Sequence, residues 1–252
     1  MQNLNITFAS NPTVFIIALI AGVVPSVLWL FFWLREDENG QHEPTGLVAL
    51  TFIAGMVSVI LVLPIEKFIS TLPFSHTTLI ALWATSEEFL KYAAFVIIMT
   101  RSPYLDEPVD YPLYLMTAAL GFAALENAMY LIHPVAVNDA TVSFLTGNMR
   151  FLGSTLLHSV SSGIVGLSIG LAFFKSSGSK FFYTIFGLAA AIALHSVFNF
   201  FIMQKNGENF LQVFGFLWVV TIIIMLLFEK LRRMGSYVQD QQQPTPVQYA
   251  QN

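Results

Sequence analysis

Five carboxylate and imidazole side chains stand inside long apolar stretches of this sequence, where an ionisable group is costly and marks a candidate functional position. Glu87 and Glu88 lie in one stretch, Glu126 lies in the next, and His158 and His195 lie in the two stretches that follow. The polar residues that accompany them inside the stretches are Lys91, Asn127 and Asn199. We take these residues as the candidates for chemistry.

The spacing of these residues on a helix decides which of them can act together. Glu87 and Lys91 are four positions apart, so they share a helix face and can pair. Glu88 points about 100° away from Glu87, so both carboxylates reach one cavity only if that cavity wraps around their helix. His195 and Asn199 are also four positions apart and should face the same cavity.

Buried carboxylates and imidazoles could perform three kinds of chemistry. In hydrolysis, a glutamate accepts a proton from water while histidine or asparagine donors stabilise an oxyanion. In metal binding, His158 and His195 with Glu87 or Glu126 would hold Zn²⁺ and leave a position open for water. In transport, the same groups would relay protons or cations. The chain has no cysteine, G-x-S-x-G turn or H-E-x-x-H sequence, which disfavours cysteine and serine hydrolases and soluble zincins.

The elements that carry these residues are predicted to be membrane-spanning helices. Hydrophobic residues make up 56% of the 252 residues and charged residues only 10%, against about 25% charged in soluble domains. A spanning helix needs roughly 20 apolar residues. Seven runs qualify: Pro12–Leu34, Thr45–Leu63, Thr77–Met99, Tyr111–His133, Arg150–Phe173, Phe181–Met203 and Leu211–Phe228. We therefore expect an all-α, polytopic transmembrane helix bundle in the cell membrane.

The basic residues at the ends of the apolar runs and between them predict the orientation of the bundle, because lysine and arginine concentrate on the cytoplasmic side. The side that includes the C-terminus carries Arg35, Arg101, Lys175, Lys180, Lys230, Arg232 and Arg233. The other side carries Lys67, Arg150 and Lys205. This distribution places the N-terminus outside and the C-terminus in the cytoplasm.

The depth of the candidate residues indicates one composite site. Glu87, Glu126, His158 and His195 each lie roughly seven to ten residues from the outer end of their run, or about 10–15 Å below the outer surface at 1.5 Å per residue. Four successive helices thus place carboxylates and imidazoles in one layer. The inner halves of the same runs are almost wholly apolar, which disfavours a relay across the membrane.

The chain is expected to form one transmembrane domain over residues 1–233, with a catalytic core at about 77–203. The Gln- and Pro-rich residues 234–252 lack apolar periodicity and are predicted to be a disordered cytoplasmic tail. The net charge of -4 and the lack of a basic patch exclude nucleic acid as a partner. The oligomeric state is not predicted.

Four ordered motifs resemble the signature of the PrsW family of intramembrane proteases. They are Glu87-Glu88-Phe-Leu-Lys91, Phe122-x-x-x-Glu126-Asn127, a single His158 one run later, and His195-x-x-x-Asn199. The Asp37…Glu43-Pro44 segment after the first run is also similar to a loop in that family. The wider group includes the type II CAAX prenyl proteases and the anterior-pharynx-defective subunit of γ-secretase.

The resemblance implies an intramembrane endopeptidase that cuts membrane-anchored substrates near the extracytoplasmic side, as in site-1 cleavage of an anti-sigma factor. It implies that Glu87 or Glu88 is the general base, that His158 and His195 are the family's histidines, and that Asn199 is an oxyanion donor. The supporting residues are Lys91, Glu126 and Asn127. Glu126 stands where the prenyl proteases carry a histidine, so a ligand and a structural acceptor both remain open roles for it.

The resemblance leaves the cofactor open, because the family is described both as metalloproteases and as glutamic proteases. A Zn²⁺ ion would use His158, His195, Glu87 and Glu126, whereas metal-independent activation of water by glutamate is the favoured alternative. A non-catalytic scaffold and a proton or cation transporter are the competing functions. The paired glutamates favour an enzyme over both.

Overall fold

A computed structural model describes residues 12–37, 43–137, 150–203 and 210–242 of the chain. Within these ranges it contains seven α-helices and no β-strand. The helices are α1 (Pro12–Glu36), α2 (Thr45–Ile69), α3 (His76–Met99), α4 (Asp110–Ala136), α5 (Thr155–Leu171), α6 (Ser177–Met203) and α7 (Phe210–Gln242). Each helix coincides with one predicted apolar run, which confirms the all-α membrane bundle.

Five of these helices, α1, α2, α4, α6 and α7, are long and apolar enough to cross a membrane. The other two carry candidate site residues. Three charged residues interrupt α3, and α5 has only 17 residues after a π-helical turn at Arg150–Ser154. The chain is therefore a multi-pass membrane protein, and both of these less typical helices supply polar groups to the interior, as α4 and α6 also do.

Two helices extend beyond their predicted ends. The helix α2 continues through Pro64 to Ile69, because a proline inside a membrane helix is tolerated where neighbouring groups satisfy the freed carbonyl. The helix α7 continues to Gln242 and so includes residues 234–242 of the segment predicted as the C-terminal tail. Glutamine and arginine are good helix formers, and a helix built from them shows no apolar periodicity. Residues 243–252 lie outside the described part of the chain.

The helix α4 occupies the centre of the bundle, packed against α1, α2 and α5. Every residue from Pro112 to Ala124 on α4 is buried. Between Tyr114 and Glu126 the only polar side chain is Thr117, whose hydroxyl donates to the Leu113 carbonyl at 2.8 Å. An apolar centre thus separates the two ends of α4, and each end belongs to a different polar cluster.

The contact between α2 and α4 depends on two glycines. A Cβ atom at Gly121 would lie 1.9 Å from the Phe52 carbonyl oxygen, and one at Gly55 would lie 1.9 Å from the Ala118 carbonyl oxygen. Small residues at such crossings let membrane helices approach closely. Because backbone atoms block both positions, neither glycine can be replaced without separating the helices.

We expect Gly121→Ala to destabilise the bundle by at least about 2 kcal/mol, since overpacking against backbone cannot relax. Thermal unfolding in detergent, followed by tryptophan fluorescence, measures the effect. Gly215→Ala on α7 is the matched control, because a Cβ there meets nothing within 4 Å and alanine favours a helix. Equal unfolding temperatures for the two variants would contradict the packing argument.

An acidic cluster lies where α1 ends and α2 and α4 begin. The Tyr114 hydroxyl donates to the Glu43 carboxylate, which also contacts the Asp110 carboxyl group. Asp110 Oδ2 accepts hydrogen bonds from the backbone N–H groups of Asp106 at 2.9 Å and Glu107 at 2.6 Å. These contacts tie the segment before α2 to the start of α4.

Asp37 belongs to the same cluster and gives it a pH dependence. Its burial, followed by the nearby charges of Glu43 and Glu107, raises the pKa of Asp37 from 3.8 to about 7, although Arg232 opposes the shift. Between these two pKa values the folded chain holds a proton that the unfolded chain has lost. Stability from Asp37 is therefore highest at acid pH and falls as the pH rises to about 7.

We expect the wild-type unfolding temperature to fall by several degrees between pH 5 and pH 8. In a chain of this size, each kcal/mol lost from the free energy of unfolding lowers the unfolding temperature by about 2–4 °C. Asp37→Asn should flatten this dependence because asparagine does not ionise. Asp106→Asn, which alters an exposed carboxylate at the same end, should keep the wild-type slope. An unchanged slope in Asp37→Asn would refute the assignment.

Candidate active site

Four helices converge on a polar cluster at the end of the bundle opposite the acidic cluster. The structure brings together Glu87, Glu88 and Lys91 of α3, Glu126 of α4, His158 of α5 and His195 of α6. The shared layer predicted from depth is thus a set of direct contacts. We call these six residues the central cluster.

Lys91 is the hub of the central cluster and is fully buried. Its Nζ atom lies 2.9 Å from Glu88 Oε1 and 3.2 Å from Glu87 Oε2. The same atom lies 2.7 Å from His158 Nδ1 and 4.3 Å from the centroid of the Phe122 ring. Three acceptors therefore match the three N–H donors of the ammonium group.

Glu88 is held by donors from three helices and is only 1% exposed. Its Oε1 atom accepts from Lys91, from the Ser161 hydroxyl at 3.0 Å and from His195 Nδ1 at 2.8 Å. Its Oε2 atom accepts from the Ser162 hydroxyl at 2.9 Å. With both oxygens occupied, Glu88 can hold the cluster together but has little capacity to bind a reactant.

Glu87 has a different environment from Glu88. Its Oε2 atom lies 3.7 Å from both His158 Nδ1 and His195 Nε2, and its side chain is 8% exposed. Among the described residues, the cation bonded to it is Lys91, at 3.2 Å. Among the carboxylates of α3, Glu87 is therefore the one that faces both imidazoles.

Hydrogen-bond partners assign the tautomers of the two histidines. His195 Nδ1 donates to Glu88, so its Nε2 lone pair is directed towards Glu87. His158 Nδ1 accepts from Lys91, so its Nε2–H donates to Glu126 Oε2 at 3.0 Å. The rings are nearly perpendicular, with centroids 5.0 Å apart. The two imidazoles thus present different nitrogens to the space beside Glu87.

Arg150 closes one side of the cluster and was not among the predicted site residues. From the π-helical turn its guanidinium group binds the Glu126 carboxylate and donates to Asn127 Oδ1. The same group donates to the Ser154 hydroxyl at 3.0 Å and lies 3.9 Å above the Tyr130 ring. Single π-helical turns are frequent at functional sites, and this one directs a cation onto Glu126.

Glu66 of α2 is a second residue that the sequence reasoning missed. Its carboxyl group is in hydrogen-bonding contact with that of Glu87. The predicted second run ended at Leu63, so Glu66 was assigned to a loop rather than to the site layer. A helix continued through Pro64 would have placed Glu66 in its last turn, near the outer end.

The predicted asparagines lie at the edge of the central cluster. Asn127 Nδ2 donates to the Thr155 hydroxyl at 2.7 Å, which links α4 to α5. Asn199 is half-buried on α6, one turn after His195. Across the described residues, none of the hydrogen bonds of the central cluster includes Asn199.

Comparison with known proteins decides the family. The model of the PrsW family intramembrane metalloproteases matches residues 43–228, which include all six residues of the central cluster. The chain belongs to the PrsW family. It is therefore an intramembrane protease, and the competing scaffold and transporter functions lose their support.

Curated PrsW relatives are similar to most of the chain. Protease PrsW of Geobacillus kaustophilus is 28% identical over 191 residues, which cover 74% of this chain and 80% of the relative. Protease PrsW of Bacillus subtilis is 26% identical over 203 residues, which cover 79% and 89%. No solved structure is significantly similar to the chain.

The PrsW family description names a metalloprotease, and three residues of the central cluster fit that description. Glu87, His158 and His195 are buried and place one possible ligand atom each within 4.8 Å of the others. Two histidines and a glutamate form a known catalytic zinc set. The hydrogen bond from His195 Nδ1 to Glu88 is the carboxylate contact that orients a metal-binding histidine. By residue type and spacing, this triplet fits a divalent ion.

Glu126, the fourth candidate ligand, lies outside that triplet. Its Oε2 atom is bound by the Arg150 guanidinium and by His158 Nε2. This carboxylate therefore orients His158 and Arg150 in the structure.

Proposed function

We propose that this protease hydrolyses peptide bonds of membrane-anchored proteins near the extracytoplasmic side, with water activated by the central cluster. A site-1-type cleavage, such as that of an anti-sigma factor, is the reaction class we propose. The observation that supports it is a buried carboxylate, Glu87, whose Oε2 atom lies 3.7 Å from each of two oriented imidazoles. These residues lie near the end of α4 that the distribution of lysine and arginine predicts to be extracytoplasmic.

In this mechanism Glu87 is the general base. A water molecule bound beside Glu87 Oε2 donates a proton to it as the water oxygen attacks the peptide carbonyl carbon. The His195 Nε2 lone pair, 3.7 Å from that carboxylate oxygen, accepts the second water hydrogen and orients the attack. Protonated Glu87 then delivers its proton to the leaving amine.

The other residues of the cluster position these groups. Glu88 fixes the tautomer of His195 through the 2.8 Å bond to Nδ1. Lys91 holds both carboxylates of α3 in place, and Glu126 holds His158. Asn199, on the face of α6 that carries His195, supplies an amide donor for the carbonyl oxygen as it becomes negative.

The residues that would hold a divalent metal are Glu87, His158 and His195. When bound, such an ion would supply a Lewis acid that polarises the peptide carbonyl or the attacking water. The roles of Glu88 in orienting His195 and of Glu126 in orienting His158 are the same with and without the ion.

The proposal predicts that a purified single-span substrate is cut on the extracytoplasmic side of its span. His195→Ala should reduce the cleavage rate by about 10²–10⁴-fold, because the water loses its orienting acceptor. Mass spectrometry of the fragments gives the position of the cut, and a time course gives its rate. His76→Ala, an exposed histidine at the start of α3, is the matched control. A cut on the cytoplasmic side, or full activity in His195→Ala, would refute the proposal.

A further inference from the structure

Lys91 is bonded to two of the three possible metal ligands, Glu87 and His158. We infer that the Lys91 ammonium group and a divalent metal ion exclude each other, so that the metal enters only when Lys91 leaves His158. The inference concerns the same site as the proposed function and rests on it for its biological role. Metal binding alone can test it, without any cleavage assay.

The distances show which ligand atoms the ammonium group occupies. Lys91 Nζ lies 2.7 Å from His158 Nδ1, its shortest contact in the cluster, and 3.2 Å from Glu87 Oε2. His158 Nδ1 and His195 Nε2 are each 3.7 Å from that same Glu87 oxygen, so these three atoms converge. Two of the three converging atoms are thus already bound to Lys91.

His158 Nδ1 cannot bind the Lys91 ammonium group and a metal ion at the same time. A neutral imidazole nitrogen has a single lone pair, and that of His158 Nδ1 accepts the Lys91 N–H. The other nitrogen of His158 donates to Glu126 at 3.0 Å and is directed away from Glu87. In addition, an ammonium group and a divalent ion repel each other strongly where no water screens them, and Lys91 is fully buried.

The structure also provides a place for the displaced ammonium group. Glu88 Oε1, at 2.9 Å, and the face of the Phe122 ring, at 4.3 Å, lie on the remaining sides of Lys91. Moving towards them breaks the hydrogen bonds to His158 and Glu87 and transfers no proton. The site therefore has two arrangements, one closed by ammonium and one open to metal.

Co²⁺ titration of the full chain, purified in detergent and treated with chelator, tests the inference. Visible absorption of the bound Co²⁺ reports its coordination, and calorimetry reports affinity and stoichiometry. We expect Lys91→Met to bind one Co²⁺ per chain at least tenfold more tightly than the wild type. Adding His195→Ala to Lys91→Met should abolish that binding. Lys67→Met, which alters an exposed lysine of α2, should bind as the wild type does.

Lys91→Gln keeps a neutral donor for the carboxylates and serves if Lys91→Met does not fold, as judged by its unfolding transition. Equal or weaker Co²⁺ binding by the folded variant would overturn the inference, and so would undetectable binding by both variant and wild type. If binding tightens in a protein that cuts no substrate, the proposed function fails and this inference stands. If cleavage proceeds and Co²⁺ binding does not tighten, this inference fails and the proposed function stands.

Discussion

Glu87→Gln is expected to reduce cleavage by about 10²–10⁴-fold, the usual contribution of a general base, while the fold is retained. The carboxylate at this position faces both imidazoles, and its side chain is 8% exposed. Glutamine keeps an oxygen that can accept from Lys91, so the buried ammonium group does not lose a partner. It cannot accept a proton from water, so the chemical step fails.

The comparison of cleavage rate with unfolding temperature makes this prediction specific. Rates are measured on a single-span substrate under single-turnover conditions, and unfolding is followed by tryptophan fluorescence. Glu229→Gln, which alters a carboxylate paired with Arg233 on α7, should behave as the wild type in both assays. Cleavage above a tenth of the wild-type rate in Glu87→Gln would exclude Glu87 as the base.

Glu88→Leu is expected to destabilise the protein by about 3–5 kcal/mol, which is typical when one partner of a buried ion pair is removed. Glu88 accepts from Lys91, Ser161, Ser162 and His195, which belong to three helices. Leucine leaves all four donors without this acceptor at a position that is only 1% exposed. The two adjacent glutamates are thus predicted to have different roles. Glu87 acts in the reaction, and Glu88 stabilises the fold.

Phe89→Leu, at the next position of α3 with its side chain exposed, is the matched control for Glu88→Leu. It should change the unfolding temperature little. Glu88→Gln should fall between the two, because an amide oxygen in place of Oε1 still accepts from Lys91, Ser161 and His195, whereas the N–H₂ group in place of Oε2 faces the Ser162 hydroxyl. A Glu88→Leu protein that unfolds at the wild-type temperature would refute the structural role.

The central cluster was largely predictable because ionisable residues are rare inside apolar runs. Glu87, Glu126, His158 and His195 were recognised by depth alone, and the structure joins them through Lys91 and Glu88. The spacing along one helix could not distinguish the roles of the two adjacent glutamates. That distinction depends on Ser161, Ser162 and the two imidazoles, which come from other helices.

The residues that escaped prediction lie at the ends of apolar runs. Glu66 follows Pro64, and Arg150 begins its helix in a π-helical turn, so hydropathy assigned both to the boundary with water. The hydrogen bond between Tyr114 and Glu43 joins residues 71 positions apart. No local pattern encodes such a pairing, since it arises from the packing of α4 against the start of α2.

The apolar centre of α4 has an electrical consequence. Tyr114 and Glu126 are separated by twelve helical residues, or about 18 Å, and the intervening polar side chain, Thr117, is occupied by its own helix. A membrane potential of 100 mV changes the free energy of a proton that crosses the membrane by about 2.3 kcal/mol. A continuous chain of polar groups from one cluster to the other would conduct such protons. This stretch of α4 therefore provides no free polar side chain that could pass a proton from one cluster to the other.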